Sequence, residues 1–354
     1  MPRHLLDLGP DDLSALFVAW GEPRYRASQV ARWALRHGVT TFDAMTDLPA
    51  ALRVRLNEEF TLAAPPLLTS TVTDDGATTK ALLGLGNGDS VETVRMAYDS
   101  EDPEAFGRAT VCVSTQVGCA MGCVFCATGQ QGFTRNLTPA EILAQVLHFT
   151  REGRATNVVF MGMGEPLANT SATLAAVRWM IHADGLDLRA RGITISTVGL
   201  RTGIHRLAAE GLQVGLTISL HAPDDDLRRR LIPTAGGTTI DELVAAAREY
   251  IEATGRRVTF AYALLDGVND SEEQARLLAS RIRGIQAHVN LIPYNPTAGI
   301  GLRRPSRDRV RAFHRVLQAE GINATVRVER GVEIAAACGQ LRTDYVQRQS
   351  LTLV

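Results

Sequence analysis

Residues 112–126 read Cys112-Val113-Ser114-Thr115-Gln116-Val117-Gly118-Cys119-Ala120-Met121-Gly122-Cys123-Val124-Phe125-Cys126. A short β-rich run, Thr110 to Ser114, leads into three cysteines spaced Cys119-x3-Cys123-x2-Cys126. Thiolates are soft ligands suited to zinc or to iron–sulfur clusters. A structural zinc ion closes its shell with four ligands. No local fourth ligand follows the triplet, because His148 falls far along the next helical stretch. Three thiolates on a four-iron cube leave one iron open to a small molecule. The triplet therefore points to a 4Fe-4S cluster with a substrate-binding iron on Cys119, Cys123 and Cys126, with distantly completed zinc as the alternative. The chain has five cysteines in all. An odd number argues against a disulfide framework and leaves Cys112 and Cys338 to be explained.

From this stretch onward, short β-rich runs alternate with helical ones. Strands are expected at Thr110 to Ser114, Asn157 to Met161, Gly192 to Thr197, Gly215 to Leu220, Val258 to Leu264 and Val289 to Ile292. Helices are expected near 139–152, 171–183, 201–210, 239–254, 271–284 and 306–320. Six β-then-α units in a row imply an α/β fold whose parallel sheet carries helices outside it. Six is too few for a closed eight-stranded barrel, so a partial (β/α)6 barrel is expected. Sites in such sheets lie at the carboxyl ends of strands, where Glu165, Ser196, His221 and Asn295 fall.

Upstream, residues 66–98 read as extended segments, with Asp74-Asp75-Gly76 and Asn87-Gly88 as hairpin turns. Three helical stretches precede them, near 11–17, 27–35 and 48–56. The expected division is a helical accessory, RNA-binding domain over 1–65, a hairpin extension over 66–107, the barrel over 108–322, and a final strand with a small-residue loop over 323–354. That loop reads Ala335-Ala336-Ala337-Cys338-Gly339-Gln340-Leu341.

Bulk composition is that of a globular protein, and no apolar run reaches the roughly 18–20 residues a membrane helix needs. The opening, Met1-Pro2-Arg3-His4-Leu5 followed closely by Asp7, Asp11 and Asp12, does not read as a signal peptide. A cytoplasmic protein is expected. Net charge is −1, yet a neutral total can hide a basic face. Arg228-Arg229-Arg230 and the run Arg303, Arg304, Arg307, Arg309, Arg311 and Arg315 are candidates for one.

The triplet, with Met161-Gly162-Met163-Gly164-Glu165-Pro166 one β/α unit later, resembles the radical S-adenosylmethionine superfamily. That resemblance implies S-adenosylmethionine on the open iron and a 5′-deoxyadenosyl radical from its cleavage. Further strings carry a closer likeness: Cys112 to Cys119, Gln130-Gln131-Gly132-Phe133-Thr134-Arg135-Asn136-Leu137, Ser219-Leu220-His221-Ala222-Pro223, Ile292-Pro293-Tyr294-Asn295-Pro296 and Ala336-Ala337-Cys338-Gly339-Gln340-Leu341. Together with Gly21 to Val30 they resemble, over nearly the whole chain, the RNA adenine methyltransferases of the RlmN/Cfr type.

The family's chemistry implies roles for the remaining cysteines. Carbon 2 of adenine lies between two ring nitrogens and is too electron-poor to attack a sulfonium methyl. Cys338 would take a methyl from one S-adenosylmethionine. The radical from a second would abstract hydrogen from that methyl, and the methylene radical would add to the ring, linking protein to RNA. Loss of the ring proton to Glu92, and attack by Cys112 on the Cys338 sulfur, would release product and leave a disulfide that thiol exchange reduces. Gly164 and Glu165 would hold the methionine amino group, and Ser196, Ser219, Leu220, His221 and Asn295 would line the rest of the pocket. The implied substrates are adenosine C2 in 23S rRNA and in tRNA beside the anticodon. The implied electron donor is a flavodoxin or ferredoxin, and a monomer is expected. C8 methylation of 23S rRNA, the Cfr-type resistance activity, is the close alternative, and the Gln130 to Asn136 string favours C2. A zinc-bound RNA-binding module without catalysis is the distant one. Two departures from the family pattern are Ala261 before Tyr262, where an acidic residue is usual, and Gly331-Val332-Glu333-Ile334 before the carrier loop.

Overall fold

The computed structural model describes residues 2–98, 107–150, 153–296 and 299–327. An N-terminal module holds β1 (Arg3–His4), α1 (Pro10–Ala19), α2 (Arg24–Leu35), α3 (Ala50–Glu59) and β2 (Phe60–Thr61), with β1 and β2 paired in parallel. The extended region forms β3 (Leu67–Val72), β4 (Thr78–Gly84) and β5 (Ser90–Tyr98). Next come β6 (Arg108–Cys112), β7 (Gln116–Gly118), α4 (Ala127–Gln130), β8 (Phe133–Asn136) and α5 (Pro139–His148). The alternation continues with β9 (Asn157–Phe160), α6 (Thr170–Ile181), β10 (Ile193–Thr197), α7 (Arg201–Ala209), β11 (Gly215–Ser219), α8 (Asp225–Leu231) and α9 (Ile240–Thr254). It closes with β12 (Val258–Leu264), α10 (Glu272–Ile282), β13 (Ala287–Pro293), α11 (Arg307–Ala319) and β14 (Ala324–Val326).

One ten-stranded sheet runs in the order β14-β13-β12-β11-β10-β9-β6-β5-β4-β3. Within it β6 and β9 through β14 are parallel, as the β/α alternation requires. The hairpin strands join the same sheet antiparallel, through β5 beside β6. Residues Asn87 and Gly88 turn β4 into β5 with positive φ of 62° and 76°, as an Asn-Gly turn does. Helix starts follow local chemistry. Thr138 with Glu141, Thr239 with Glu242 and Ser271 with Gln274 form capping boxes on α5, α9 and α10. Each is worth about 1 kcal/mol.

The N-terminal module docks on α5 and α6. Trp179 donates to the Leu8 carbonyl at 2.7 Å, Asp7 accepts from the Ala140 N–H, and Arg36 donates to Gly185 O at 3.2 Å. Its apolar residues belong to the same core as the barrel helices. No helix among the described residues is long and apolar enough to cross a membrane.

Register sets which side chains share a face. Cys112 pairs with Val159, Val159 with Thr194, Ser196 with Thr217, Ser219 with Ala261, and Ala261 with Asn290. Side chains alternate along a strand, so all of these point to one side. On β10 the other side is apolar: Ile193 and Ile195 are buried, while Thr194 and Ser196 are half-buried. The apolar side packs under the helices, and the polar side lines the concave lumen of the partial barrel.

One expected basic run is corrected. Arg228 on α8 is only 2% exposed, donating to the carbonyls of Val198 and Thr238. Burial pushes its guanidinium down to about 10. Arg229 is exposed and pairs with Asp226 at 2.8 Å, and Arg230 is exposed. A charge run on a helix does not all face water, because each residue turns about 100° from the last. Arg228→Ala should cost about 2–4 kcal/mol by stranding buried carbonyls, while Arg230→Ala should stay within about 0.5 kcal/mol. Urea melts of the two variants check this, and equal midpoints would contradict it.

Candidate active site

Cys119, Cys123 and Cys126 lie on the loop between β7 and α4. The expected signature string buttresses this loop. β8 folds back on β7, the Cys119 N–H donates to Gly132 O at 2.7 Å, and the Gln130 amide donates to Cys123 O at 3.0 Å. Gln116 donates to Asn136 at 2.8 Å. Close approach decides one glycine: a Cβ at Gly118, where φ is +76°, would meet Gly132 O at 2.0 Å.

A separate apolar cluster wraps the loop, built from Met121, Val198, Ala222, Leu227, Leu231, Ile232, Leu265 and Tyr294, with Phe125 packed against it. Burial pushes the Cys119 thiol up to about 11 and the Cys123 thiol higher still, and the charges of the neighbouring cysteines push the same way. Backbone N–H groups of Met121 and Gly164 face the Cys119 sulfur and oppose that rise. Three cysteines gathered on one short loop, Cys123 buried and Cys119 and Cys126 half-buried, are a soft donor set suited to iron, which deprotonates coordinating thiols outright. Among the described residues no group of His, Cys, Asp or Glu side chains is arranged to hold a single metal ion. The chemistry of the donor set, three cysteines at the mouth of one cavity, is what an iron–sulfur cluster would need.

The three cysteines border a cavity of about 260 Å³ that also takes in Gly164, Glu165, Ser196, Ser219 and His221. Glu165 is buried, accepting from the N–H groups of Leu167 at 3.0 Å and Val198 at 2.8 Å, with the Thr197 hydroxyl as a further donor. Burial pushes its carboxyl up to about 6. His221 takes the left-handed region at φ 58°, a conformation sparsely open to a non-glycine residue. Its Nδ1 accepts from the Ala263 N–H at 2.9 Å, which leaves the ring proton on Nε2. Burial pushes the imidazole down to about 3, so it is neutral. Its ring stands edge-on to Phe125, 4.8 Å between centroids.

Leu220 and Asn295 are not on the cavity wall: Leu220 is buried beneath it, and Asn295 lies half-buried beyond the end of β13. Cys112 and Glu92 sit beside the cavity on the same lumen face. The Cys112 sulfur lies at the Met161 N–H, and Met161 lines the cavity. Burial pushes the Cys112 thiol up to about 11; nearby Arg327 and Lys80 oppose that, and Glu92 adds to it. Glu92 is buried against Lys80 rather than exposed on its strand. Cys338 and the segment Gly331 to Ile334 lie outside the described residues.

Several contributors escaped the sequence reading. Ser114 ties three elements together: its hydroxyl donates to Glu92 O at 2.6 Å and accepts from the Met163 N–H at 2.9 Å, while its main chain is bracketed by the Gln145 amide. Asn269 donates to both His221 O and Ala263 O, stitching the ends of β11 and β12. Thr217, Asn290 and Arg327 also line the cavity. Thr217 could have been found, since it lies two residues before Ser219 on one strand.

Comparison with known proteins adds the relationships. Residues 113–279 match the Radical SAM superfamily, and residues 3–62 match the Ribosomal RNA large subunit methyltransferase N-terminal domain. "Ribosomal RNA large subunit methyltransferase N" of Nitrosopumilus maritimus (strain SCM1) is 49% identical over 348 residues, covering 97% of this chain and 99% of that one. "Probable dual-specificity RNA methyltransferase RlmN" of Frankia alni is 50% identical over 363 residues, covering 98% of this chain and 84% of that one. A solved radical SAM methyltransferase from Sphaerobacter thermophilus superimposes with a TM-score of 0.88 at 49% identity, covering 96% of this chain and 99% of that one.

Proposed function

Since the chain belongs to the RlmN family of radical S-adenosylmethionine RNA methyltransferases, we propose that it methylates carbon 2 of an adenosine in 23S rRNA and of the adenosine beside the anticodon in tRNA. The observation that supports this reading is the single lumen face. It carries the cysteine-lined cavity at one end and Cys112 with Glu92 at the other. A methyl transfer that only needed S-adenosylmethionine would have no use for the second end.

Cys119, Cys123 and Cys126 would hold a 4Fe-4S cluster, with S-adenosylmethionine lying over Gly164, Glu165, Ser196, Ser219 and His221. When bound, these groups supply the methyl, the one-electron cleavage that makes the adenosyl radical, and an acceptor for the one electron lost after the ring is joined. The chain's own residues do the rest. Glu165 receives the methionine ammonium. Neutral His221 offers its Nε2–H as a donor, and the apolar shell keeps water from the loop. Cys338 carries the methyl and is joined through it to the RNA.

Release then needs two groups. Glu92 takes the proton from ring carbon 2. Cys112 bonds to the Cys338 sulfur while the sulfur–carbon bond breaks. The electron pair of that bond stays on carbon, which takes up the proton given up by the Cys112 thiol. The two cysteines end as a disulfide, and a dithiol restores them by exchange. RNA reaches the lumen with the target base extruded. Exposed arginines on α8 and α11, Arg230, Arg307 and Arg315, are proposed phosphate contacts. The enzyme works in the cytoplasm beside these RNAs, drawing electrons from a flavodoxin or ferredoxin.

Mass spectrometry of rRNA and tRNA from a deletion strain tests the activity. Loss of 2-methyladenosine from both RNAs is expected. Loss of 8-methyladenosine instead would move the chain to the C8 activity, and loss from rRNA alone would remove tRNA. Peptide mass spectrometry should find a methyl on Cys338, and active enzyme without it would overturn the carrier role.

A further inference from the structure

A buried lysine and a buried glutamate meet inside the sheet, away from the cysteine loop. Lys80 lies on β4 and Glu92 on β5. In the antiparallel ladders Lys80 pairs with Val94, and Val94 pairs with Cys112. Strand alternation places Lys80, Glu92 and Cys112 on one face, which continues into Ser196, Thr217 and Ser219. Lys80 Nζ stands 3.1 Å from Glu92 Oε2, with the side chains 0% and 2% exposed.

Folding does not account for this pair. Desolvating two charges is costly, and apolar residues of similar volume usually serve stability as well or better. The location does account for it. Both the backbone and the side chain of Glu92 are held: Ser114 donates to its carbonyl at 2.6 Å, and Lys80 meets its carboxylate. The next strand is held too, since the Thr93 hydroxyl donates to Cys112 O at 3.0 Å. A base must lie within hydrogen-bond reach of the proton it removes, and a lone glutamate has several rotatable bonds to swing through.

We propose that Lys80 is the positioning residue for Glu92, its ammonium holding the carboxylate at the Cys112 end of the lumen, where it takes the ring proton of the RNA adduct. The inference rests on the reading of Glu92 as proton acceptor. In the proposed step, once the adduct has given up its odd electron to the acceptor that the bound groups would supply, the carbon–hydrogen bond breaks, its electron pair restores the aromatic ring, and the proton passes to Glu92. Lys80 changes neither charge nor bonds.

The test uses reconstituted full-length protein in single turnovers with RNA and S-adenosylmethionine, comparing Glu92→Gln, Lys80→Met and the double variant. Denaturing gels read the protein–RNA adduct, and peptide mass reads methyl-Cys338. Glu92→Gln should accumulate adduct while product release falls about 10²-fold or more. Lys80→Met should accumulate adduct with methyl-Cys338 formed as in the native protein; damage of a merely structural kind would lower adduct and carrier methylation together. Each single variant strands one buried charge, a carboxylate in Lys80→Met and an ammonium in Glu92→Gln, whereas the double variant strands neither and should be the most stable of the three. It should match Glu92→Gln within roughly twofold, because residues acting as one unit are not additive. Native-rate release from Lys80→Met, or about tenfold less adduct in the double variant than in Glu92→Gln, would overturn the positioning role. Free release from Glu92→Gln would instead remove the proton-acceptor reading itself.

Discussion

Cys112→Ala is expected to stop release of methylated RNA and leave the protein joined to its RNA through Cys338. Cys112 ends β6, half-buried, with its sulfur at the Met161 N–H. Alanine keeps the strand and its hydrogen bonds and removes only the sulfur. The steps before release do not use that sulfur, so adduct should form at the native rate. Product turnover should fall by roughly 10³-fold or more, as when a covalent-catalysis partner is lost. The thiol's position also shapes its reactivity. Pushed up to about 11, it stays protonated at neutral pH, and only the thiolate attacks. Its proton must therefore leave as the new S–S bond forms, helped by the nearby cations Arg327 and Lys80, which favour the thiolate. A denaturing gel of a single turnover with labelled RNA reads the outcome. Free methylated RNA at the native rate would assign the resolving thiol elsewhere.

Gly164→Ala should be nearly as damaging, through sterics alone. Gly164 has φ +99°, and a Cβ there would meet Gln116 Cβ at 2.6 Å and its Cγ and backbone nitrogen at 2.7 Å. Gln116 is buried on β7, the strand that feeds Cys119, and cannot step aside as a flexible tip would. The Gln116 side chain also accepts from the Glu165 N–H at 2.9 Å, so the added methyl moves Glu165 as well. Overpacking should cost about 1–3 kcal/mol. Affinity for S-adenosylmethionine should fall about 10²-fold, near 2.7 kcal/mol. Gly122→Ala is the control: φ is +64° there, but nothing lies within 4 Å of the added atom, so only backbone strain is expected. Thermal melts and equilibrium binding of S-adenosylmethionine separate the two variants. Native affinity in Gly164→Ala would mean that the cofactor does not lie over this turn.

Much of this protein was legible along the chain. The alternation of β-rich runs and helices is a local property. Each expected barrel strand and helix recurs with shifts of a few residues at its ends, and caps such as Thr138 with Glu141 announce themselves in sequence. The cysteine spacing is likewise local, because one short loop must present all three sulfurs. The burial of Arg228, Lys80 and Glu92 was not legible in this way. Arg228 sits in a run of identical neighbours, and only the packing of α8 turns it inward. Lys80 and Glu92 are twelve residues apart on a hairpin that gives no sign of burial until β5 closes against β6.

The sequence by itself determined the order of elements, the spacing of the three cysteines, and which residue types stand at strand ends. Tertiary structure alone decided which of them share the lumen. Ser219 and His221 border the cavity while Leu220 between them is buried beneath it, and Cys112 comes to face Glu92 and Lys80 across two ladders. The physical reason is register. A strand's period of two leaves each residue on one face or the other, and only pairing with neighbours distant in the chain decides which face looks inward.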